Sequence, residues 1–146
     1  MPPRIGEVWC WDAFYTDPDT GAPLPKFVVV LAHAPGGDIV LRLLTSREAL
    51  RPQTACSHDS VRPGFFIGVV DAASRLNKPT WIDLREFDDV EQARWDRLVR
   101  DGILTQLALI EQELLCEALL CAIGAPDTQR QQQNAMYAAR EALGCC

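Results

Sequence analysis

In the first 86 residues every apolar segment is too short for an ordinary helix, which points the front of this chain to β-structure. Gly6-Glu7-Val8-Trp9-Cys10-Trp11-Asp12 carries large side chains on both alternating faces, the pattern of a strand buried on each side. Residues 16–25, TDPDTGAPLP, are turn chemistry throughout and read as a loop. Lys26 to Ala32 is β-branched and short. Pro35-Gly36-Gly37-Asp38 supplies glycines that tolerate positive φ, as a tight hairpin requires. Ile39 to Thr45 is then the returning strand. Arg47 to Arg62 reads as loop, with a helical turn at 47–51; Phe65 to Val70 and Thr80 to Leu84 complete the set. Five short strands with short connections predict a small, strongly curved barrel.

The last 60 residues change character. Asp88 to Asp101 places Trp95, Leu98 and Val99 at helical spacing. Leu104 to Ile123 is the strongest helix signal, with Thr105 as N-cap and Gly124 as C-terminal stop. Leu107, Ile110, Leu114 and Ala118 form one stripe; Leu109, Cys116, Leu120 and Ile123 form a second. A helix apolar on two sides buries both, one on the barrel and the other on the final helix or on a second protomer, hence a homodimer. Asp127 is placed to cap a final helix over 128–143. The expected fold is α+β: one domain over 1–146, with an SH3-like barrel of about five strands over 1–86 and a mainly helical extension of two C-terminal helices over 87–146.

Charge is uneven. Residues 1–86 hold nine Lys/Arg and ten Asp/Glu, a net −1; residues 87–146 hold five and ten, a net −5. The front half is thus open to an anion and the back half is not; the overall acidity counts against RNA as a partner and leaves room only for a local basic face in the front half. The longest apolar stretch, Leu104 to Ile123, is broken by Glu111, Gln112, Glu113 and Glu117, so no membrane span is expected. The N-terminus, MPPRIGEVWCWD, lacks the apolar core of a signal peptide. Six cysteines without a C-x-x-C pair, and only His33 and His58, read as reduced thiols in a cytoplasmic chain with no metal and no cofactor. Cys56-Ser57-His58 offers two metal donors at best, and Cys116 and Cys121, set among leucines and alanines, read as buried apolar groups.

The order of motifs resembles the PemK/MazF family of toxin–antitoxin ribonucleases. Gly6-Glu7-Val8-Trp9 is similar to the family's opening strand. Lys26 to Leu31 sits where the family has Arg-Pro and a valine-rich strand, and Leu43-Leu44-Thr45-Ser46 resembles its strand ending in Thr-Ser. Leu76-Asn77-Lys78-Pro79-Thr80-Trp81-Ile82 and Gly102-Ile103-Leu104-Thr105 add two further similarities; the match runs from residue 4 to about 115. The resemblance implies an SH3-like barrel that cleaves single-stranded RNA without metal, attacked by the ribose 2′-oxygen, and an antitoxin protein as partner. It assigns the catalytic positions to Lys26, Thr45 and Ser46. Lys26 stands where the family carries arginine, a flexible point charge in place of a planar fork. The alternative reading is accordingly a non-catalytic barrel that binds a protein partner or nucleic acid.

Arg42, Arg47, Arg51 and Arg62 cluster in sequence around Thr45 as RNA-binding candidates, or as solvated loop charges. His58 beside Asp59 is an acid/base candidate for the same site, or a surface histidine. Trp9, Trp11 and Trp81 read either as base-stacking platforms or as core.

Overall fold

A computed structural model describes residues 2–47, 51–53, 55–73 and 75–146. The chain runs β1 (Glu7–Thr16), β2 (Pro23–His33), β3 (Ile39–Thr45), β4 (Cys56–Ser57), β5 (Gly64–Gly68), β6 (Thr80–Asp83), α1 (Gln92–Arg100), β7 (Leu104–Leu109), α2 (Gln112–Ile123) and α3 (Arg130–Leu143). The strands form one antiparallel sheet in the order β4-β5-β6-β3-β2-β1-β7.

This corrects the barrel expectation. The sheet is open: its outer strands, β4 and β7, pair only inward. Among the described residues it has seven strands rather than about five, and there are three helices rather than two. The architecture is α+β, but closure into a small barrel is absent.

β2 lies near the middle of the sheet and explains the layering. Val28, Val29, Val30, Leu31 and Ala32 are all fully buried, because both faces of the sheet are covered. Val29, Leu31, Val40 and Leu44 pack with Leu115, Ala118, Leu119, Met136 and Ala139, so α2 and α3 cover one face. Val28, Val30, Ile39 and Leu41 pack with Trp11, Trp95 and Leu104, so α1 lies on the other.

The long helix expected from Leu104 begins instead at Gln112. Residues 104–109 are strand β7, with Thr105 opposite Cys10 rather than capping a helix. The second apolar stripe of α2 is occupied within the chain, where Cys116 is bonded to Cys145 beyond α3 and Arg140 donates to the Cys116 carbonyl. Of that stripe Leu120, on α2, stays exposed, as does Leu109, which lies in β7.

Gly6 fixes the entry to the sheet. Its N–H donates to Val30 O at 2.7 Å and its carbonyl accepts from Ile110 N at 2.9 Å. It adopts φ +94°, and a Cβ there would lie 2.7 Å from Leu115 Cδ2. Only glycine meets both demands. Among the described residues no helix is long and apolar enough to cross a membrane.

Candidate functional site

The ends of β2 and β3 set up the site. Phe27 pairs with Leu44, so Lys26 and Thr45 are the next residues along the two strands. β1 bulges between Trp11 and Tyr15, where Ala13 takes φ +53°. A bulge re-aims the residues beyond it, and here Phe14 and Tyr15 turn onto the same end of the sheet. The Lys26 ammonium lies 5.6 Å from the centre of the Tyr15 ring, a cation–π contact.

Lys26, Thr45, Arg47, Arg51 and Arg62 line one open cleft of about 470 Å³ with Phe14, Tyr15, Val61, Asp83 and Arg85. Five cations face one carboxylate among the described lining residues, a local balance of +5 − 1 = +4 on a chain of net −6. The Thr45 Oγ1 accepts the Arg47 N–H at 3.3 Å, which holds the hydroxyl at the strand end with its own proton free to donate. The helical turn expected at 47–51 falls largely on residues 48–50, outside the described ones.

Asp83 and Arg85 were not singled out from sequence. Asp83 closes β6, and its carboxylate accepts the Arg85 backbone N–H at 3.0 Å. It also accepts Nε at 3.1 and 3.0 Å and Nη2 at 2.7 Å. The Asp-x-Arg spacing at a strand end, a side chain folding back onto the backbone two residues on, was the available signal. Arg51 Nη2 stands 4.0 Å from the same carboxylate. Burial pushes the Asp83 carboxyl up, but the Arg85 fork, its backbone N–H and the nearby Arg51 outweigh this and hold it below the usual aspartate range. Burial in turn lowers the Arg51 pKa, against the pull of Asp83. Among the described residues Arg51 Nη1 has no hydrogen-bond partner, and it packs where a side chain at Gly64 would otherwise sit.

Ser46 is separated from this group. It lines a shallow neighbouring recess of about 50 Å³ with Arg75, Leu76 and Lys78, and Thr45 borders both.

Two predicted site residues lie elsewhere. Arg42 is fully buried under α3, donating to Leu41 O and to Gln132 Oε1, each at 2.8 Å. Gln132 passes the network to Asp89 Oδ1 at 2.8 Å. Arg42 therefore ties the sheet to α3 and is unavailable to RNA. His58 sits against α2, with Nε2 2.8 Å from Cys121 O, and is absent from the cleft. Trp11 and Trp81 are core residues, with Trp81 Nε1 donating to Pro52 O at 2.9 Å; neither is a stacking platform.

The thiol reading is also corrected. Cys56 is bonded to Cys121 and Cys116 to Cys145, while Cys10 is free and buried and Cys146 free and exposed. Each bond joins residues far apart in sequence, a pairing that spacing alone does not reveal.

The cleft and its open sheet define the class: an α+β chain with a cationic groove beside the end of β3. No family model, no curated protein and no solved structure matches it.

Proposed function

We propose that the cleft is a metal-independent ribonuclease site that takes the phosphodiester backbone of single-stranded RNA. The observation that carries this reading is the convergence of Lys26, Arg47, Arg51, Arg62 and Arg85 around Thr45 in one open groove of an otherwise acidic chain. Single strands are recognised by such grooves through their phosphates. Tyr15 and Phe14 on the same wall offer ring faces for a base.

In the reaction the ribose 2′-oxygen attacks the adjacent phosphorus as its proton passes to solvent. The bond from phosphorus to the 5′-oxygen breaks, and that oxygen takes up a proton. The products are a 2′,3′-cyclic phosphate and a 5′-hydroxyl. Lys26 and the arginines counter the charge that builds on the phosphorane, and the Thr45 hydroxyl donates to one of its oxygens.

A specific observation favours a second reading, binding without cleavage. The one carboxylate among the described lining residues, Asp83, is held ionised by Arg85 and Arg51 and is a poor proton acceptor. A protein partner for the same cations would present an acidic segment, the chemistry expected of an antitoxin.

The test is a labelled single-stranded RNA incubated with the protein in chelator, beside a copy whose ribose at each step lacks the 2′-hydroxyl. The expected result is cyclic-phosphate product from RNA only, lost in Thr45→Ala and Lys26→Ala variants that melt like the parent. Retained binding with no product selects the second reading. Neither binding nor product rejects the cleft as an RNA site.

A further inference from the structure

His58 and the Cys56–Cys121 bond form a cluster that the cleft does not use. His58 Nε2 lies 3.4 Å from Cys56 Sγ and 3.5 Å from Cys121 Sγ. The three donor atoms lie within 4.8 Å of one another. Sequence spacing offered only the first two; α2 delivers the third from 63 residues away. Gly124, just past the end of α2, leaves room for the ring: a Cβ there would stand 2.9 Å from His58 Cε1. Cys56 and His58 are exposed and Cys121 is buried, so the cluster opens to solvent on one side.

From this geometry we infer a redox-gated zinc site: two sulfurs and one imidazole that hold a divalent ion only when the Cys56–Cys121 bond is reduced. Two thiolates and an imidazole nitrogen are the donor set of a tetrahedral zinc centre whose fourth position is left to water. A dithiol reductant supplies the two electrons and two protons that convert the bond into two thiols, itself becoming a disulfide. Zn²⁺ then displaces both thiol protons and takes the lone pair of His58 Nε2; the Nε2 proton that the ring gives to Cys121 O in the oxidised protein is released to solvent, and Nδ1 carries the ring proton. The charge of the ion is matched by the two thiolates. Oxidation reverses the sequence: two electrons leave the sulfurs for the oxidant, the bond re-forms and the ion is released. In either state the short edge strand β4 stays fastened to α2, by a covalent bond or by the metal.

Cobalt is the probe, because thiolate ligation gives it a charge-transfer absorption and tetrahedral geometry gives it visible ligand-field bands. The full chain is reduced with a phosphine, freed of oxygen and titrated with Co²⁺, then back-titrated with Zn²⁺. The inference expects these bands at one ion per chain, bleached by zinc and absent from the oxidised protein. Cys56→Ser, an exposed position, removes them. His58→Ala weakens binding at least about tenfold, the loss that follows even from removing a ligand's outer partner. Gly124→Ala, which displaces a surface ring and leaves the core untouched, weakens binding in the same direction. The Cys116→Ser/Cys145→Ser variant keeps the bands, which separates this cluster from the other thiols that reduction frees. Absence of the bands in the reduced parent overturns the inference, as does their survival in Cys56→Ser or indifference to both His58→Ala and Gly124→Ala.

Discussion

Asp83 sets the charge balance of the cleft. It is buried, it accepts the Arg85 fork, and among the described residues it is the carboxylate paired with the buried Arg51. Replacing it by asparagine removes the carboxylate that Arg51 is paired with among the described residues. Because Arg85 is more than half exposed, solvent screens part of the pair, and the expected loss at neutral pH is about 1–2 kcal/mol. The pH dependence follows from the lowered Asp83 pKa. A carboxyl that titrates lower in the folded chain than in the unfolded one contributes fully above about pH 3.9, the ordinary aspartate value. That contribution is lost as pH falls from there through the depressed folded value. Denaturant melts at neutral and acid pH should therefore show Asp83→Asn less stable than the parent at pH 7, with the gap closing in acid; parallel curves would refute the assignment. The same strand-end logic shows which site residues were legible. Thr45 and Lys26 follow from one pairing register, once β2 and β3 are recognised as a hairpin. Arg42 did not belong with them for a reason that was already visible. It lies three residues from Thr45 on one strand, an odd separation, so the two side chains leave on opposite faces.

β7 shows why the architecture was harder to read than the site. Leu104-Thr105-Gln106-Leu107-Ala108-Leu109 is rich in helix formers and runs straight into α2, so local preference favours one long helix. Pairing with β1 overrides that preference, as tertiary context commonly does for a short segment. The strands around 26–32, 39–45, 64–68 and 80–83 and the helices near 92–100 and 130–143 were legible because their periodicity agrees with their packing, whereas the start of β2 at Pro23 and all of β4 fell in stretches read as loop. An open edge, by contrast, has no local signature, since closure depends on how β4 and β7 lie across the whole sheet. Gly6 is the joint on which β7 and α2 turn, held between Val30 and Ile110 with Leu115 against its Cα. Gly6→Ala brings a positive-φ penalty and a clash with a core leucine. It should destabilise by about 2 kcal/mol or more in chemical denaturation. A Gly6→Ala variant within error of the parent would show that the β1 entry relaxes freely.

The two disulfides and the charge distribution act over the full chain. Cys116–Cys145 spans 29 residues and Cys56–Cys121 spans 65. Opening either relaxes the unfolded chain, so Cys116→Ser/Cys145→Ser should lower stability by about 2–3.5 kcal/mol. Loop length makes the longer bond worth about 0.7 kcal/mol more in the same comparison; calorimetry of the oxidised parent and the two double variants measures both. Electrostatics sets a different kind of test. With the cleft at +4 and the chain at −6, everything outside the described lining residues sums to −6 − 4 = −10. An RNA strand meets net negative charge over the rest of the chain, so the groove is the favoured site and binding there is strongly dependent on salt. With Arg51 buried and Arg85 held on Asp83, the three remaining cations, Lys26, Arg47 and Arg62, reaching three phosphates of a single strand give a slope of log affinity against log salt of about −2, near 0.7 per contact. Titrating a labelled RNA at several salt concentrations measures that slope. Arg47→Ala, which removes one exposed contact, should make it shallower by about 0.7 and weaken binding evenly across sequences. A slope near zero, or one that Arg47→Ala leaves unchanged, would mean that the strand is held outside this groove, and the cations around Thr45 would then be a structural feature of the sheet end.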